Sequence, residues 1–380
     1  MDNGVHDAQR LKELQALPLN RKIQITQTRI IEWYQHFKGQ VCVSFSGGKD
    51  STVLMDIARR IYPDIPAVFS NTGLEYPEIQ KFVKSYDNVD IIVPEMRFDQ
   101  VVSTYGYPLI GKEVAHAIYY SRRIKNSNRQ DKEMLFRRHH FGVTKRDRLS
   151  GNAESTLFDY HKWLPIVELP FMITHYCCNK MKKQPVGKYQ RSKGYHPIIA
   201  TLAEESILRR QAWIKTGCNA FDTSSPKSQP MSFWTEHDVL QYLCDYGIKI
   251  ASVYGEIVGT DEKGNDCPLY DMEGNIAPKL KCTGCSRTGC IFCGFGFHLD
   301  KGETRFQRLA RTHPRQYEYA IGGGQWVDNP AYDPTAPEYD GEWKNWNPKQ
   351  IWVPSKKGLG MGKVFDMVNE VYGKNFYRYE

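Results

Sequence analysis

The sequence predicts an α/β fold, a doubly wound parallel sheet followed by a Cys-rich C-terminal region, on three observations. Short β-branched runs alternate with amphipathic helical stretches from Val41 to Val93. A glycine-opened turn, Ser46-Gly47-Gly48-Lys49-Asp50-Ser51, joins the first such run to the helix after it. Four of the ten cysteines, Cys282, Cys285, Cys290 and Cys293, fall within twelve positions late in the chain.

The elements follow in order. Ile23, Ile30, Ile31, Tyr34 and Phe37 share the face of an amphipathic helix over Ile23 to Phe37. Val41 to Phe45 is an apolar run bounded by Gly39 and by Ser46-Gly47-Gly48, which predicts a buried strand. Val53, Leu54, Ile57, Ala58 and Ile61 then mark one face of a helix that ends before Pro63. Ala67 to Phe69 predicts a second strand, Pro77 to Tyr86 a helix with proline at its start, and Val89 to Val93 a third strand. Right-handed crossovers place the loops that follow these strands along one edge, where open α/β sheets bind ligands. Regular patterning returns with a strand over Tyr195 to Ala200, a helix over Leu202 to Lys215, and a helix that starts at Thr235. Glycines, prolines and cysteines dominate from about Gly255 to Arg287, so that stretch needs something other than apolar burial to hold it. A tryptophan-bearing tail from Asn329 to Pro354 is expected to wrap over the body, and no internal repeat is evident. The expected domains are a helical segment at 1–38, a nucleotide-binding α/β domain at 39–250, and a Cys-rich, cluster-binding region with the tail at 251–380.

Charge is unevenly spread. Of the net +8 in 380 residues, a surplus of seven lies between Tyr119 and Arg148, where ten Lys/Arg meet three Asp/Glu. This segment, 119–148, reads as an insertion in the α/β domain. Concentrated positive charge attracts polyanions through counterion release, and Tyr119, Tyr120, Phe136 and Phe141 are interleaved with it. Nucleic-acid contact and a solvated basic face are balanced alternatives. No run approaches the roughly 20 apolar residues of a membrane helix, and mean hydropathy is −0.56. A signal peptide is not evident in the first twenty residues, so a cytoplasmic location is expected, and there ten cysteines are unlikely disulfides.

Ser46 to Ser51 has the chemistry of a phosphate cradle. Gly47 and Gly48 let backbone N–H groups converge on an anion, Ser46 and Ser51 add hydroxyls, Lys49 adds a cation, and a helix N-terminus adds its dipole. Asp50 fits beside phosphates where it meets a metal ion or orients the loop. The Gly-x4-Gly-Lys spacing of a Walker A loop is absent. Ser-Gly-Gly-Lys-Asp-Ser resembles the PP-loop of ATP pyrophosphatases, which cleave ATP between the α and β phosphates to adenylate a substrate. Asn71-Thr72-Gly73-Leu74-Glu75-Tyr76-Pro77-Glu78 resembles a segment of the phosphoadenosine phosphosulfate (PAPS) reductase branch. Ala203-Glu204-Glu205-Ser206-x-x-Arg209 and Pro230-Met231-Ser232-Phe233-Trp234-Thr235 are similar to later motifs of that branch. The resemblance spans roughly Val41 to Phe297 and implies an adenine nucleotide α-hydrolase-like fold. It also implies ATP with Mg²⁺ at the loop, and nucleotide or substrate contacts from Thr72, Gly73, Glu205 and Arg209.

Three departures separate the chain from sulfonucleotide reductases of that branch. It keeps the ATP form of the loop, it has Leu202 where they carry an arginine, and no cysteine follows Cys293. A C-terminal cysteine cannot therefore serve as their nucleophile does.

Cys282-x2-Cys285-x4-Cys290-x2-Cys293 offers four soft thiolates in a Gly-rich stretch, a pattern that suits zinc or an iron–sulfur cluster. Cys177-Cys178, with the lysine and proline that follow, is similar to the Cys-Cys-x-x-x-Lys-x-x-Pro segment of adenylylsulfate reductases. That resemblance implies a [4Fe–4S] cluster, favours it over zinc, and offers a second ligand set, Cys177, Cys178, Cys290 and Cys293. Cys290 and Cys293 belong to both sets. Arg287 and Lys281 stand nearby as cations for thiolates or a polyanion.

The expected activity is ATP-dependent adenylyl and sulfur transfer. Lys49 and Asp50 are its catalytic candidates, nucleic acid is a candidate acceptor, and a sulfur-donor protein a candidate partner. The alternatives are a PAPS or adenylylsulfate reductase and a non-catalytic nucleotide-binding accessory subunit.

Overall fold

The computed structural model describes residues 6–124, 160–335 and 346–380. Its contacts divide the chain into two units, Met1–Pro94 with Lys182–Gly289 and Glu95–Met181 with Cys290–Glu380. Both units are built from two separate stretches of chain, a division that differs from expected boundaries after residues 38 and 250.

In the first unit, α1 (Ala8–Gln15) and α2 (Leu19–His36) lead into β1 (Val41–Ser44), α3 (Lys49–Ile61), β2 (Ala67–Ser70), α4 (Pro77–Val83) and β3 (Val89–Ile92). The chain returns with α5 (Gln184–Lys193), β4 (His196–Ile199), α6 (Ile207–Thr216), β5 (Asn219–Ala220), β6 (Lys227–Ser228) and α7 (Glu236–Asp245). These six strands form one sheet in the order β3-β2-β1-β4-β6-β5. All neighbours are parallel except β5 and β6. The doubly wound parallel sheet is thus present, and the strand order reverses between β1 and β4, paired from Val41↔His196 to Ser44↔Ile199. Crevices outside the carboxyl ends of strands at such a reversal are where open α/β sheets bind ligands.

Local chemistry explains the elements. Val41, Cys42 and Val43 are wholly buried, as a central parallel strand requires. On α3, Val53, Leu54, Met55, Ile57 and Ala58 are fully buried. Pro77 occupies the first turn of α4, where its missing N–H costs nothing. Helix boundaries differ from those expected at three places, one being the end of α4, at Val83 instead of Tyr86. Leu202 to Lys215 is not one helix: Ala203–Glu205 forms a short 3-10 turn, and Ser206 is extended at φ −165°, ψ 154°. The Ser206 side chain accepts the Arg209 N–H and caps α6, a role serine fills better than a helix interior. The N-terminus of α2 also reaches further back than Ile23, to Leu19.

The glycine- and cysteine-rich stretch is held as an antiparallel sheet, β7 (Ile257–Thr260), β8 (Asp266–Cys267) and β9 (Lys279–Cys282), in the order β9-β7-β8. Two Asp-x-x-Gly-Asn turns brace it. In each, the aspartate accepts both the backbone and the side-chain N–H of the asparagine, Asp261 from Asn265 and Asp271 from Asn275. This short repeat was not anticipated.

In the second unit, Leu109–Ile110 pairs in parallel with Gly294–Phe295, directly after Cys293. Gln325–Asp328 pairs antiparallel with Gln350–Val353, which seats part of the tail in a hairpin. Phe297, Phe306, Phe365 and Tyr377 form an aromatic core, with Phe297 stacked on Tyr377 at 5.0 Å. Among the described residues, no helix is long and apolar enough to cross a membrane.

Candidate functional site

Ser46 to Ser51 leaves the carboxyl end of β1 and enters α3. Gly47 holds φ +70°, and a Cβ there would stand 2.7 Å from Val83 Cγ2, so only glycine fits without displacement. Ser51 Oγ donates to Gly48 O at 2.9 Å and accepts the Ser46 N–H at 3.2 Å, while the two serine hydroxyls meet at 2.9 Å. The loop is therefore formed by its own side chains.

The loop walls a cavity of about 280 Å³. Ser46, Gly48, Lys49 and Asp50 line one side, and Leu202 and Glu205, which follow β4, line another. Both sides thus come from the carboxyl ends of the two strands at the reversal. Glu236, Tyr254 and the segment Ser286–Gly289 complete the wall.

Each cation lining this cavity already has an anionic partner. Lys49, only 5% exposed, donates to Glu236 Oε1 at 2.8 Å, and its ammonium lies 5.5 Å from the centre of the Tyr254 ring. Arg287 reaches Glu205 at 3.0 Å, and Arg209 also pairs with Glu205. Burial raises the Asp50 carboxyl above its ordinary range and Glu236 adds to the rise, whereas Lys49, Arg287 and Arg209 pull it down. Burial likewise lowers the Arg209 guanidinium, assisted by Arg287. Tyr254, also buried, is pushed up to about 12.

Glu236 is held firmly. It opens α7, where Thr235 and Asp238 cap each other reciprocally, and Lys22 of α2 donates to the buried Asp238 at 2.6 Å. The Glu236 N–H donates to Glu204 Oε1 at 2.6 Å.

The remaining expected residues fall into distinct places. Gly47 and Ser51 shape the loop from behind, and Arg209 joins the site through Glu205. Thr72 and Gly73 are not among the residues lining the cavity. Thr72 donates its hydroxyl and N–H to the buried Glu75, whose carboxylate also pairs with Lys182 at 3.3 Å, and Gly73 turns with φ +73°. Glu236 and Tyr254 were missed in the sequence; the Trp-Thr-Glu start of α7 was the available signal for Glu236. Lys281 pairs instead with Asp266 at 2.7 Å.

Residues 40–109 match the family model described as the phosphoadenosine phosphosulfate reductase domain. Over this stretch the chain is similar to the PAPS reductase family. An uncharacterized protein of Methanocaldococcus jannaschii is 31% identical over 86 residues, 21% of each chain. A phosphoadenosine 5'-phosphosulfate reductase of Serratia proteamaculans is 31% identical over 85 residues, 19% of this chain and 35% of that one. The matches thus span about a fifth and about a third of those relatives' lengths. The solved PAPS reductase of Candida auris aligns over 65% of this chain and 90% of its own, at 11% identity and a TM-score of 0.32. The matched stretch includes the loop from Ser46 to Ser51 that walls the cavity.

The cysteines divide between the units. Cys282 and Cys285 lie in the first, where burial raises the Cys282 thiol, Lys49 lowers it, and Glu236 and Cys285 raise it. Cys177, Cys178, Cys290 and Cys293 all lie in the second. There the Cys177 thiol is driven far up by its hydrogen bond with Cys178, by burial, and by Cys290 and Cys293. Burial raises Cys293 too, against the pull of Arg305 and Lys112. A backbone bond from Cys293 N–H to Cys290 O at 3.0 Å turns that pair. Four thiols in one unit, close enough to perturb one another, are the donor chemistry an iron–sulfur cluster uses. Among the described residues, no group of three or more His, Cys, Asp or Glu is arranged to hold a metal ion.

Residues 125–148 of the expected basic segment, including Phe136 and Phe141, lie outside the described residues. Of its beginning, Tyr119 is buried and packs on His175 and Tyr176. Tyr120 contacts His116 and His175, and Arg122 is buried. Tyr119 and Arg122 therefore pack inward, while Tyr120 is half-buried.

Proposed function

We propose that the chain binds ATP through Ser46–Ser51 and transfers its adenylyl group to an acceptor oxygen, in support of sulfur transfer. The observation that carries this reading is the ATP-form loop at the strand reversal, opening onto a cavity walled by Lys49, Asp50, Glu205, Glu236 and Arg287. The acceptor oxygen attacks the α-phosphorus, the bond from that phosphorus to the α,β-bridging oxygen breaks, and pyrophosphate leaves with that oxygen. Lys49 would pass from Glu236 to the phosphates, and loop N–H groups would hold the departing oxygens. Mg²⁺, met by Asp50, would neutralise charge on the leaving group. Adenylation turns the acceptor oxygen into a leaving group that a sulfur nucleophile can displace.

Cys177, Cys178, Cys290 and Cys293 are the set we assign to a [4Fe–4S] cluster, because they share a unit and act on one another. A bound cluster would supply electron transfer or a binding point for sulfur. Cys282 and Cys285 then remain as thiols in the unit of the loop. Nucleic acid and a sulfur-donor protein stay the candidate acceptor and partner, and the cytoplasm the candidate location.

The test is incubation of anaerobically purified protein with ATP, Mg²⁺, candidate nucleic acids and a sulfide or persulfide donor. AMP and pyrophosphate are expected, and both should vanish in Lys49→Ala and Asp50→Asn. Pyrophosphate release that survives both substitutions refutes the loop assignment. Sulfite released from PAPS or adenylylsulfate instead would favour a reductase, and nucleotide binding with no turnover under any condition an accessory subunit.

A further inference from the structure

The second unit contains a cavity of about 700 Å³, within the size range of small-molecule sites. Its walls are mainly apolar, with the rings of Tyr105, Tyr119 and Trp346 and the aliphatic side chains of Ile173, Val327 and Val353, beside the polar Ser103, Thr104 and Asn329. Among the described residues that line it, one is charged, the buried Arg122. The guanidinium donates to the carbonyls of Ile166, Val167, Leu169 and Phe171, which uses four of its five N–H donors and leaves one Nη1 hydrogen. Trp346 lies over it, 4.5 Å from ring centre to guanidinium carbon.

Carbonyl oxygens satisfy hydrogen bonds but carry no net charge, and among the described residues no carboxylate pairs with Arg122. No Asp or Glu is among the described residues lining the cavity. Burial has already lowered the Arg122 guanidinium to about 9, the mark of a cation short of counter-charge. A polyphosphate would find one cation and a hydrophobic wall, so this is not a second triphosphate site. We propose that this cavity binds a small molecule with a flat apolar body and a single anionic group, the body between the rings and the anion toward Arg122. The cavity also adjoins the thiols: Tyr105 and Tyr119 both pack on Tyr176, which precedes Cys177. The proposal does not depend on the ATP reading.

Equilibrium dialysis of the full chain against 2-naphthoate and its methyl ester tests it, because the two share a body and differ in charge. One naphthoate per chain is expected, bound at least tenfold tighter than the ester. Ala331→Trp projects a large ring from an exposed position on the cavity wall and should weaken naphthoate tenfold or more, with circular dichroism and the unfolding midpoint unchanged. Equal binding of acid and ester overturns the role of Arg122. Naphthoate binding unaffected by Ala331→Trp, or absent at millimolar concentration, overturns the site.

Discussion

Gly47→Ala should destabilise the first unit by about 2–5 kcal/mol, and the figure comes from two separate costs. Holding φ +70° costs a residue with a Cβ about 1–2 kcal/mol. The new methyl would also stand 2.7 Å from Val83 Cγ2 and 2.9 Å from Ile79 Cγ2, both on buried side chains of α4 that have no free space to retreat into. Overpacking of this kind costs about 1–3 kcal/mol. Gly48 is the internal control. Its φ is −80°, and a Cβ would meet the hydroxyls of Ser46, Tyr254 and Thr288, at 3.2, 3.3 and 3.8 Å. Alanine there should change stability by less than about 1 kcal/mol while crowding the cavity. Urea unfolding of the three proteins, with the slope m unchanged, reads the difference. Equal midpoints for Gly47→Ala and Gly48→Ala would refute the account of the loop as a bend pinned against α4.

Other expectations follow from the same geometry. Lys22→Met leaves Asp238 buried without its cation and should cost about 3–5 kcal/mol, whereas Lys22→Met with Asp238→Leu should recover much of it; thermal unfolding of the double-mutant cycle measures this. His175 is lowered to about 4 by burial and by His116, so it stays neutral in the folded chain. The unfolded chain takes up that proton first as pH falls below about 6.5, and this contribution to stability is lost between there and about 4, so His175→Phe should flatten the midpoint-against-pH curve in that window. Cys177→Ser and Cys290→Ser should each lose iron and acid-labile sulfide, and Cys282→Ser and Cys285→Ser should keep them, if the second unit's set is the cluster site. Zinc in place of iron, or iron lost from the Cys282 and Cys285 variants as well, would reverse that assignment.

The α/β core was legible because its signals are local. Val41-Cys42-Val43 before two glycines, and the buried face of α3, state strand and helix without help from distant residues. The phosphate loop was legible for the same reason. The rest of the cavity depends on contacts across long sequence distances: Glu236 meets Lys49 only because α7 returns to the sheet, and no spacing rule encodes that return. The Ser206 break was hidden by an unbroken apolar pattern around it, although a serine ahead of Ile207 was a readable cap. The strands β7 to β9 were obscured by glycine content, yet their repeated Asp-x-x-Gly-Asn turns were present in the sequence. Tyr119 and Arg122 show the opposite error, in which aromatic and basic residue types suggested a surface that tertiary packing turned inward.

The order in which the sheet's central strands leave the ribosome has its own cost. Val41 of β1 pairs with His196 of β4, 155 positions later, and the whole first stretch of the second unit is synthesised in between. At bacterial or eukaryotic elongation rates, β1 would wait roughly 10–30 s with one hydrogen-bonding edge unpaired. An open parallel edge of that duration is a template for wrong partners, so nascent chains should need a chaperone's cover until β4 arrives.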